Sequence, residues 1–335
     1  MKFEKLIVFD LDGVIIDVSM SYRETIRQSA KLFFKGSYAW ERLPERLFSL
    51  SDLDKVKQGG GLNNDWDLTC LVISLLFPFV KTQTIFEDRD NWERYKKTIQ
   101  HSDVSALAKF LKSTHQPLTA LLKERGTIND EFIQSLYVED VGSGNIIKQI
   151  FQEIYLGNDL FQSTYGIPAK LYTGEGYMNR ENLLIDESIL KKLSAKSIMA
   201  VATGRPEADA FYALDFFDIR KYFTYVYTLD DCLKEEKRAF NREGKKVGLS
   251  KPNPYMLDAI KEKSHHSVSK CYYVGDMPDD MTAASRSKAS FIGIGFTKSA
   301  ADKNSRKKAL LQTGADHIIE EIEELLKIVE KKQGP

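Results

Sequence analysis

The sequence predicts an α/β protein with a doubly wound parallel sheet and one long, mostly α-helical insertion. Three observations lead to this prediction. Short apolar runs rich in β-branched and aromatic residues recur along the chain, and several end at Gly or Asp. Helical patterns alternate with these runs from about residue 183 onward. Between the first and second runs, from about residue 20 to about residue 180, helical periodicity predominates.

Six apolar runs are predicted to form the sheet. In a buried parallel strand both faces are covered, so apolar residues need not alternate with polar ones. The runs are Lys5–Asp10, Ser197–Thr203, Tyr225–Thr228, Lys270–Val274, Ser290–Gly293 and His317–Ile319. Helices are predicted between and after them at Ile185–Ser194, Glu207–Phe216, Pro254–Lys263, Met277–Ser287 and Glu320–Lys331. This alternation indicates right-handed βαβ units of a Rossmann-like sheet.

The inserted segment has few convincing strands. Its helical patterns are Tyr22–Phe34, Leu68–Leu76, Arg89–Gln100, Val104–Leu111, Asn129–Leu136 and Ile146–Leu156. Because 335 residues exceed the size at which a single core usually stops growing, two domains are expected. The predicted α/β core comprises residues 1–18 and 183–335, and the predicted helical domain comprises residues 19–182. The charged run Lys234–Lys246 is predicted to be a solvated loop or a helix end.

Composition and charge argue against several classes of protein. The 48 basic and 48 acidic side chains give no net charge, so the chain lacks the basic field that non-specific nucleic-acid binding needs. Cys70, Cys232 and Cys271 form no CxxC pair, which argues against a disulfide framework or a thiolate zinc site. The first apolar run is too short to cross a membrane. We therefore expect a soluble, cytoplasmic protein that binds neither nucleic acid nor membranes, and the sequence does not indicate its oligomeric state.

Two carboxylates, Asp10 and Asp12, follow the first predicted strand in the segment Asp10–Val14. In doubly wound sheets ligands bind beyond the carboxyl ends of the strands. A carboxylate can attack phosphorus when its own charge is partly offset, and Mg²⁺ binds phosphate together with one or two carboxylates. A second carboxyl group can protonate the leaving group. Taken alone, the same pair could also be an ordinary turn or a helix cap.

Three further polar motifs lie at or between later strands. Thr203 and Gly204 offer a hydroxyl and backbone N–H groups to an anion, or could simply cap a helix. Lys251 lies beside two prolines that orient its ammonium, which could neutralise phosphate or lie at the surface. Asp276 is a candidate metal ligand and Asp280 a candidate partner through water, although acids here could instead balance a helix dipole.

In this order the motifs resemble those of the haloacid-dehalogenase superfamily. Asp10–Val14 matches its DxDG(T/V) motif, Thr203 its strand-end hydroxyl, Lys251 its isolated lysine, and Gly275–Asp280 its GDxxxD motif. The resemblance implies the α/β core of that superfamily. It also implies that the insertion is a helical cap, placed as in the phosphoglycolate-phosphatase-like branch.

The resemblance further implies a catalytic role for each aspartate of the first motif. Asp10 would attack phosphorus and become an aspartyl-phosphate, and Asp12 would protonate the leaving group and later activate water. The founding dehalogenases lack the second aspartate and need no metal, so Asp12 and Asp276 argue against dehalogenation. The expected function is that of a Mg²⁺-dependent phosphatase acting on a small phosphorylated metabolite. A sugar-phosphate phosphomutase and a non-catalytic binding protein on the same core are the alternatives.

Binding roles also follow from the resemblance. The groups expected to hold phosphate are Thr203, Lys251 and the backbone of Leu11 and Gly204. The groups expected to hold Mg²⁺ are the Asp10 side chain, the Asp12 carbonyl and Asp276, with Asp280 behind them.

Substrate specificity is expected to depend on the inserted domain, which is longer than is usual for this cap. In capped relatives the cap closes over the site and supplies residues that contact the substrate. The Gly-rich segment Gly59–Trp66 is a candidate because Asn63, Asn64 and Asp65 suit a polyol or an amino group. It could equally be a flexible loop in which Asp65 caps a helix. Two further candidates, which could contact substrate or hold the cap hinge, are Tyr22 and Arg23.

Overall fold

A computed structural model of the chain describes residues 4–57, 64–126, 130–264, 268–300 and 302–330. Its strands are β1 (Lys5–Phe9), β2 (Ile16–Asp17), β3 (Lys81–Thr82), β4 (Ser102–Asp103), β5 (Asn182–Leu183), β6 (Ile198–Ala202), β7 (Tyr225–Tyr227), β8 (Lys270–Gly275), β9 (Ile292–Phe296) and β10 (His317–Ile319).

The helices of the described residues fall in the same chain order. They are α1 (Tyr22–Phe33), α2 (Leu50–Lys57), α3 (Asp65–Leu76), α4 (Asn91–Gln100), α5 (Ser105–Ser113), α6 (Pro117–Arg125), α7 (Glu131–Ser135), α8 (Ile146–Tyr165), α9 (Glu187–Ser194), α10 (Glu207–Phe216), α11 (Leu229–Glu243), α12 (Tyr255–Lys263), α13 (Pro278–Arg286), α14 (Lys303–Gln312) and α15 (Glu323–Glu330). Single 3₁₀ turns lie at Trp40–Arg42, Phe77–Phe79, Tyr177–Arg180 and Arg220–Tyr222.

The chain divides into two compact units. The α/β unit combines Met1–Asp17 with Asn182–Pro335, and the helical unit is Val18–Glu181. The boundaries expected from the sequence differ from these by one residue. None of the helices in the described ranges combines the length and the apolar character that a membrane span requires.

A six-stranded sheet forms the centre of the α/β unit, with the strand order β10-β9-β8-β1-β6-β7. All of its neighbouring strands are parallel. In the register, Leu6 of β1 lies between Ile198 of β6 and Cys271 of β8. The chain builds the sheet outward from β1 to β7 and then reverses to continue through β8, β9 and β10. The predicted doubly wound α/β fold is therefore confirmed.

The fifth predicted strand is displaced in the structure. The sequence predicted Ser290–Gly293, whereas β9 begins two residues later and runs to Phe296. Ser290 has a φ of 52°, a left-handed conformation that an extended strand does not contain. The later part of β9 was missed because its glycines weaken the apolar pattern. A Cβ at Gly295 would lie 2.7 Å from the Cδ1 atom of Ile318, so a larger residue would require that side chain to shift.

The charged run at Lys234–Lys246 is helical over most of its length, which is more order than the sequence predicted. It belongs to α11, whose start is stabilised by reciprocal hydrogen bonds between Thr228 and Asp231. The helix ends at Gly244, which has a φ of 68°. Only Leu229 and Cys232 of α11 are buried, and the strongly charged composition of the segment led to the expectation of a solvated loop. Helices α2, α6 and α14 were also absent from the predictions.

The helical unit is organised around α1, which packs against α3 and α8. Helix α8 is interrupted at Gly157, whose φ of 75° and ψ of 171° are not helical. The predicted helix ended at Leu156, immediately before this break. A Cβ at Gly157 would lie 2.3 Å from the backbone nitrogen of Gly176, so only glycine fits where these two segments meet.

Candidate active site

The carboxyl ends of β1, β6 and β8 meet at one edge of the sheet. Asp10 follows β1, Thr203 follows β6, and Asp276 follows β8. The strand order changes direction between β1 and β8. In doubly wound sheets such a topological switch point forms the crevice where ligands bind. The structure therefore brings together motifs that lie more than 170 residues apart in the chain.

Asp10 is held by one contact of its backbone and two contacts of its side chain. Its backbone N–H donates to the carbonyl of Val274 at 2.8 Å, which continues the pairing of β1 with β8. Its Oδ1 atom accepts the N–H of Leu11 at 2.8 Å and lies 2.9 Å from Nζ of Lys251. Only 6% of the Asp10 surface is exposed. The two contacts to Oδ1 therefore restrain the side chain of a buried carboxylate at the edge of the sheet.

Lys251 points into this edge of the sheet, where its ammonium contacts two carboxylates. Besides Asp10, it lies 2.7 Å from Oδ1 of Asp280. Tyr273 completes the arrangement, because its hydroxyl donates to Oδ1 of Asp280 at 2.8 Å and lies 3.2 Å from Nζ of Lys251. Burial opposes the charge of Lys251, but Asp10 and Asp280 raise the pKa of its ammonium well above the usual range.

Asp10, Asp276 and Asp280 form a carboxylate cluster. Each offers one oxygen, and the three oxygens lie within 4.8 Å of one another. Burial raises the pKa of Asp10 well above its usual range, Lys251 opposes this rise, and Asp280 and Asp276 add to it. The three carboxylates supply hard oxygen donors and negative charge at one place, and Mg²⁺ prefers ligands of this kind. The residues present therefore suit the metal that the sequence predicted.

Gly13 lets the first loop approach the carboxylate cluster. Its φ is 75°, and a Cβ at this position would lie 2.5 Å from Oδ2 of Asp276. The Ser299 hydroxyl donates to the Gly13 carbonyl at 2.9 Å, which holds the loop in this position. The glycine of the first motif is thus required both by its backbone conformation and by the space that Asp276 occupies.

The carboxylate of Asp12 is bound by an arginine. Its Oδ1 atom lies 2.7 Å from Nε and 2.6 Å from Nη2 of Arg205, whose side chain is only 1% exposed. Two nitrogens on one oxygen hold the Asp12 side chain firmly. The predicted metal contact of Asp12 used its backbone carbonyl, so this pairing does not compete with it.

Thr203 and Gly204 form the turn that precedes α10. The Thr203 hydroxyl accepts the N–H of Arg205 at 3.2 Å, and the backbone N–H of Thr203 donates to the carbonyl of Tyr227 at 3.0 Å. The N-cap residue of α10 is Pro206, so Thr203 does not cap that helix. Asp280, by contrast, does have the helix-end role considered for the acids here, since its Oδ2 accepts the N–H of Met277 at 2.9 Å.

Sequence reasoning missed Arg205, Arg306 and Tyr273. Nη1 of Arg306 donates to both the carbonyl and Oδ2 of Asp276. Arg205 directly follows the Thr203-Gly204 pair, so its position at a strand end could have indicated a role. Neither the spacing nor the surroundings of Arg306 and Tyr273 distinguished them in the sequence.

Two of the specificity candidates in the helical unit, Tyr22 and Arg23, are buried there. The ring of Tyr22 stacks on that of Tyr155 with centroids 4.2 Å apart. Nη2 of Arg23 lies 3.7 Å from a carboxylate oxygen of Asp54. Both contacts lie within the helical unit, and the two roles considered for these residues, substrate contact and holding the cap hinge, stay predictions.

The remaining specificity candidates surround the start of α3. Asn64 is its N-cap and accepts the N–H of Asp67 at 2.8 Å. The suggestion that Asp65 caps the helix was therefore wrong by one residue, and Asp65 lies 2.8 Å from Nζ of Lys57 instead. Asn63 and the glycines of that segment lie outside the described residues.

Comparison with known proteins places this geometry in context. The sequence model of a family described as haloacid dehalogenase-like hydrolase matches residues 4–288. No curated protein matches the chain. Target ZR25 of the Northeast Structural Genomics Consortium, an X-ray structure, is 20% identical with a TM-score of 0.63 over 98% of each chain. Phosphatase Tt82 from Thermococcus thioreducens is 16% identical with a TM-score of 0.50, over 91% of this chain and 99% of that one. At these identities the two structures show a shared fold.

Proposed function

This chain belongs to the haloacid dehalogenase-like hydrolase family, and we propose that it is a Mg²⁺-dependent phosphatase of small phosphorylated metabolites. The observation that carries the proposal is the set of charges at the sheet edge. A buried Asp10 lies 2.9 Å from the ammonium of Lys251, and its carboxylate belongs to a cluster of three. This arrangement offers a nucleophile together with a place for a cation and a phosphate.

The proposed reaction has two steps, both involving Asp10. In the first, an Asp10 carboxylate oxygen attacks phosphorus, the bond from phosphorus to the ester oxygen breaks, and Asp12 gives a proton to that oxygen. In the second, Asp12 takes a proton from water, which attacks the aspartyl-phosphate and releases inorganic phosphate. Arg205 holds the Asp12 carboxylate for both transfers. Mg²⁺, when held by the cluster, supplies positive charge that offsets the repulsion between carboxylate and phosphate.

Phosphate binding is assigned to groups of the same sheet edge. Lys251 provides a positive charge, and Thr203 and Gly204 provide a hydroxyl and backbone N–H groups near the start of α10. A dehalogenase would need neither the second aspartate nor a metal site, so Asp12 and the carboxylate cluster support phosphate chemistry. The expected cytoplasmic location agrees with a soluble metabolite as substrate.

Asp10→Asn tests the nucleophile. The variant is expected to lose Mg²⁺-dependent hydrolysis of 4-nitrophenyl phosphate by roughly 10³-fold or more, because an amide cannot form the acyl-phosphate. Asp215→Asn is the matched control, since Asp215 is an exposed aspartate of the same unit, paired with Arg220. Circular dichroism should show both variants folded. Full activity in folded Asp10→Asn protein would exclude Asp10 as the nucleophile.

The substrate class needs a second experiment. Purified protein with Mg²⁺ is incubated with a panel of phosphorylated metabolites, and both released phosphate and isomerised sugar phosphate are measured. Phosphate release that stops in EDTA and returns with Mg²⁺ is expected. Isomerisation without phosphate release would identify a phosphomutase, and neither activity on any compound would favour the non-catalytic alternative.

A further inference from the structure

Helix α14 buries one side chain from a strongly basic stretch. Lys303, Lys307 and Lys308 are exposed, whereas Arg306 is 0% exposed. Removing a guanidinium from water is energetically costly unless the charge is well paired. The burial of Arg306 therefore indicates a specific partner inside the α/β unit.

The partner is Asp276, at the end of β8. Nη1 of Arg306 lies 2.5 Å from the Asp276 carbonyl oxygen and 3.1 Å from its Oδ2 atom. One nitrogen thus contacts the backbone and the side chain of the same residue. Rotation of the Asp276 carboxylate away from its present orientation would break the second contact.

Gly13 confines the same carboxylate from another direction. A Cβ at Gly13 would lie 2.5 Å from Oδ2 of Asp276, so the loop backbone already lies against this oxygen. Asp276 is consequently held between Arg306 and Gly13. In that orientation one of its oxygens lies within 4.8 Å of oxygens of Asp10 and Asp280.

We propose that Arg306 is a positioning residue that raises the affinity of the carboxylate cluster for Mg²⁺, an inference that rests on the proposed function. Mg²⁺ requires near-octahedral coordination, so a carboxylate held in one orientation binds it better than a rotating one. The positive charge of Arg306 has the opposite effect, because it repels a cation. The orientation of Asp276 outweighs the repulsion between Arg306 and Mg²⁺. Replacing Arg306 by a neutral residue therefore lowers the affinity for Mg²⁺, whereas a dominant repulsion would make the affinity rise.

The test is titration of the substrate-free protein with MgCl₂ by isothermal calorimetry. Arg306→Met is expected to weaken binding by about 10- to 100-fold, the usual effect of losing a partner that orients a metal ligand. Arg306→Lys, which keeps a positively charged donor but changes its position relative to Asp276, should fall between that variant and wild type. Lys307→Met is the control, because it removes the same charge from an exposed neighbour.

A second titration with Ca²⁺ makes the test more specific. Ca²⁺ accepts irregular coordination, so its binding should weaken less than that of Mg²⁺ when Arg306 is replaced. Unchanged or tighter Mg²⁺ binding by folded Arg306→Met protein would overturn the proposal. Wild-type protein that binds no Mg²⁺ would overturn the metal-dependent function as well. If circular dichroism shows that neither variant folds, Arg306 is a stability residue and the proposal is also overturned.

Discussion

Two buried carboxylates of the helical unit, Glu153 and Asp52, have surroundings unlike those of the carboxylate cluster in the α/β unit. In the helical unit, Glu153 is fully buried and accepts backbone N–H groups from residues 170–172 at 2.8 to 3.1 Å. The side-chain amide of Gln149 adds a further hydrogen bond at 2.9 Å. Asp52 is similar, since it accepts the N–H groups of Leu118 and Thr119 where α6 begins. These carboxylates are satisfied by neutral donors.

In the α/β unit, the carboxylates of the cluster at the sheet edge lie close to one another. All three share the edge of the sheet with Lys251, and burial together with like charge raises the pKa of Asp10. Such an arrangement costs stability in the absence of a ligand, because like charges repel in a poorly hydrated site. A buried acid surrounded by neutral donors therefore stabilises the fold, whereas acids crowded around one cation indicate a site of chemistry.

The largest expected effect is on catalysis in the α/β unit. Lys251→Met should lower kcat for 4-nitrophenyl phosphate by about 10³-fold, or about 4 kcal/mol, the upper range for removing one charge-stabilising group. Steady-state kinetics of purified variants measures this. The control is Lys288→Met, an exposed lysine of the same unit. A loss of less than tenfold would mean that Lys251 serves the fold and not the phosphate.

The next effect is on stability in the helical unit. Glu153→Gln places an NH₂ group against backbone donors, because both carboxylate oxygens accept N–H groups in the native protein. The free energy of unfolding should fall by about 3 kcal/mol, as for other buried charged acceptors. Urea denaturation of this variant beside Glu175→Gln, an exposed control, measures the difference. Equal stability of the two variants would contradict the contrast between the units.

The smallest effect concerns the pairing of Asp12 with Arg205. Arg205→Lys replaces two nitrogens with one, which should loosen the proposed proton donor. An alkyl phosphate needs that proton more than 4-nitrophenyl phosphate does, so kcat/KM for the alkyl ester should fall about tenfold further. Arg286→Lys, on the exposed side of α13, is the control. An equal loss on both substrates would assign Arg205 to phosphate binding or folding.

The sheet and its motifs were predictable because their signals are local. An apolar run that ends in Asp, as at Asp10 and Asp276, marks the end of a parallel strand. The ends of such strands meet at one edge whatever the length of chain between them. The breaks at Gly13 and Gly157 depend on neighbours distant in sequence, and only the first was anticipated, from its place in a motif.

The partners of the site could not be predicted because tertiary packing selects them. Arg306 lies in a stretch whose other basic residues are exposed, so no sequence pattern marks it as buried. Tyr273 is one of two adjacent tyrosines in β8, and only strand pairing decides which one faces Lys251. The start of α3 was predicted to within a few residues, which is too coarse to choose Asn64 over Asp65 as its cap.

The two carboxylate oxygens of Asp280 make hydrogen bonds to different parts of the α/β unit. One accepts the N–H of Met277 at the start of α13, and the other accepts from Lys251 and Tyr273. A single residue inserted between Met277 and Asp280 would rotate the carboxylate by about 100° around the helix and remove it from both partners. This short stretch should therefore tolerate changes of side chain far better than changes of length, which constrains how the loop can evolve or be redesigned.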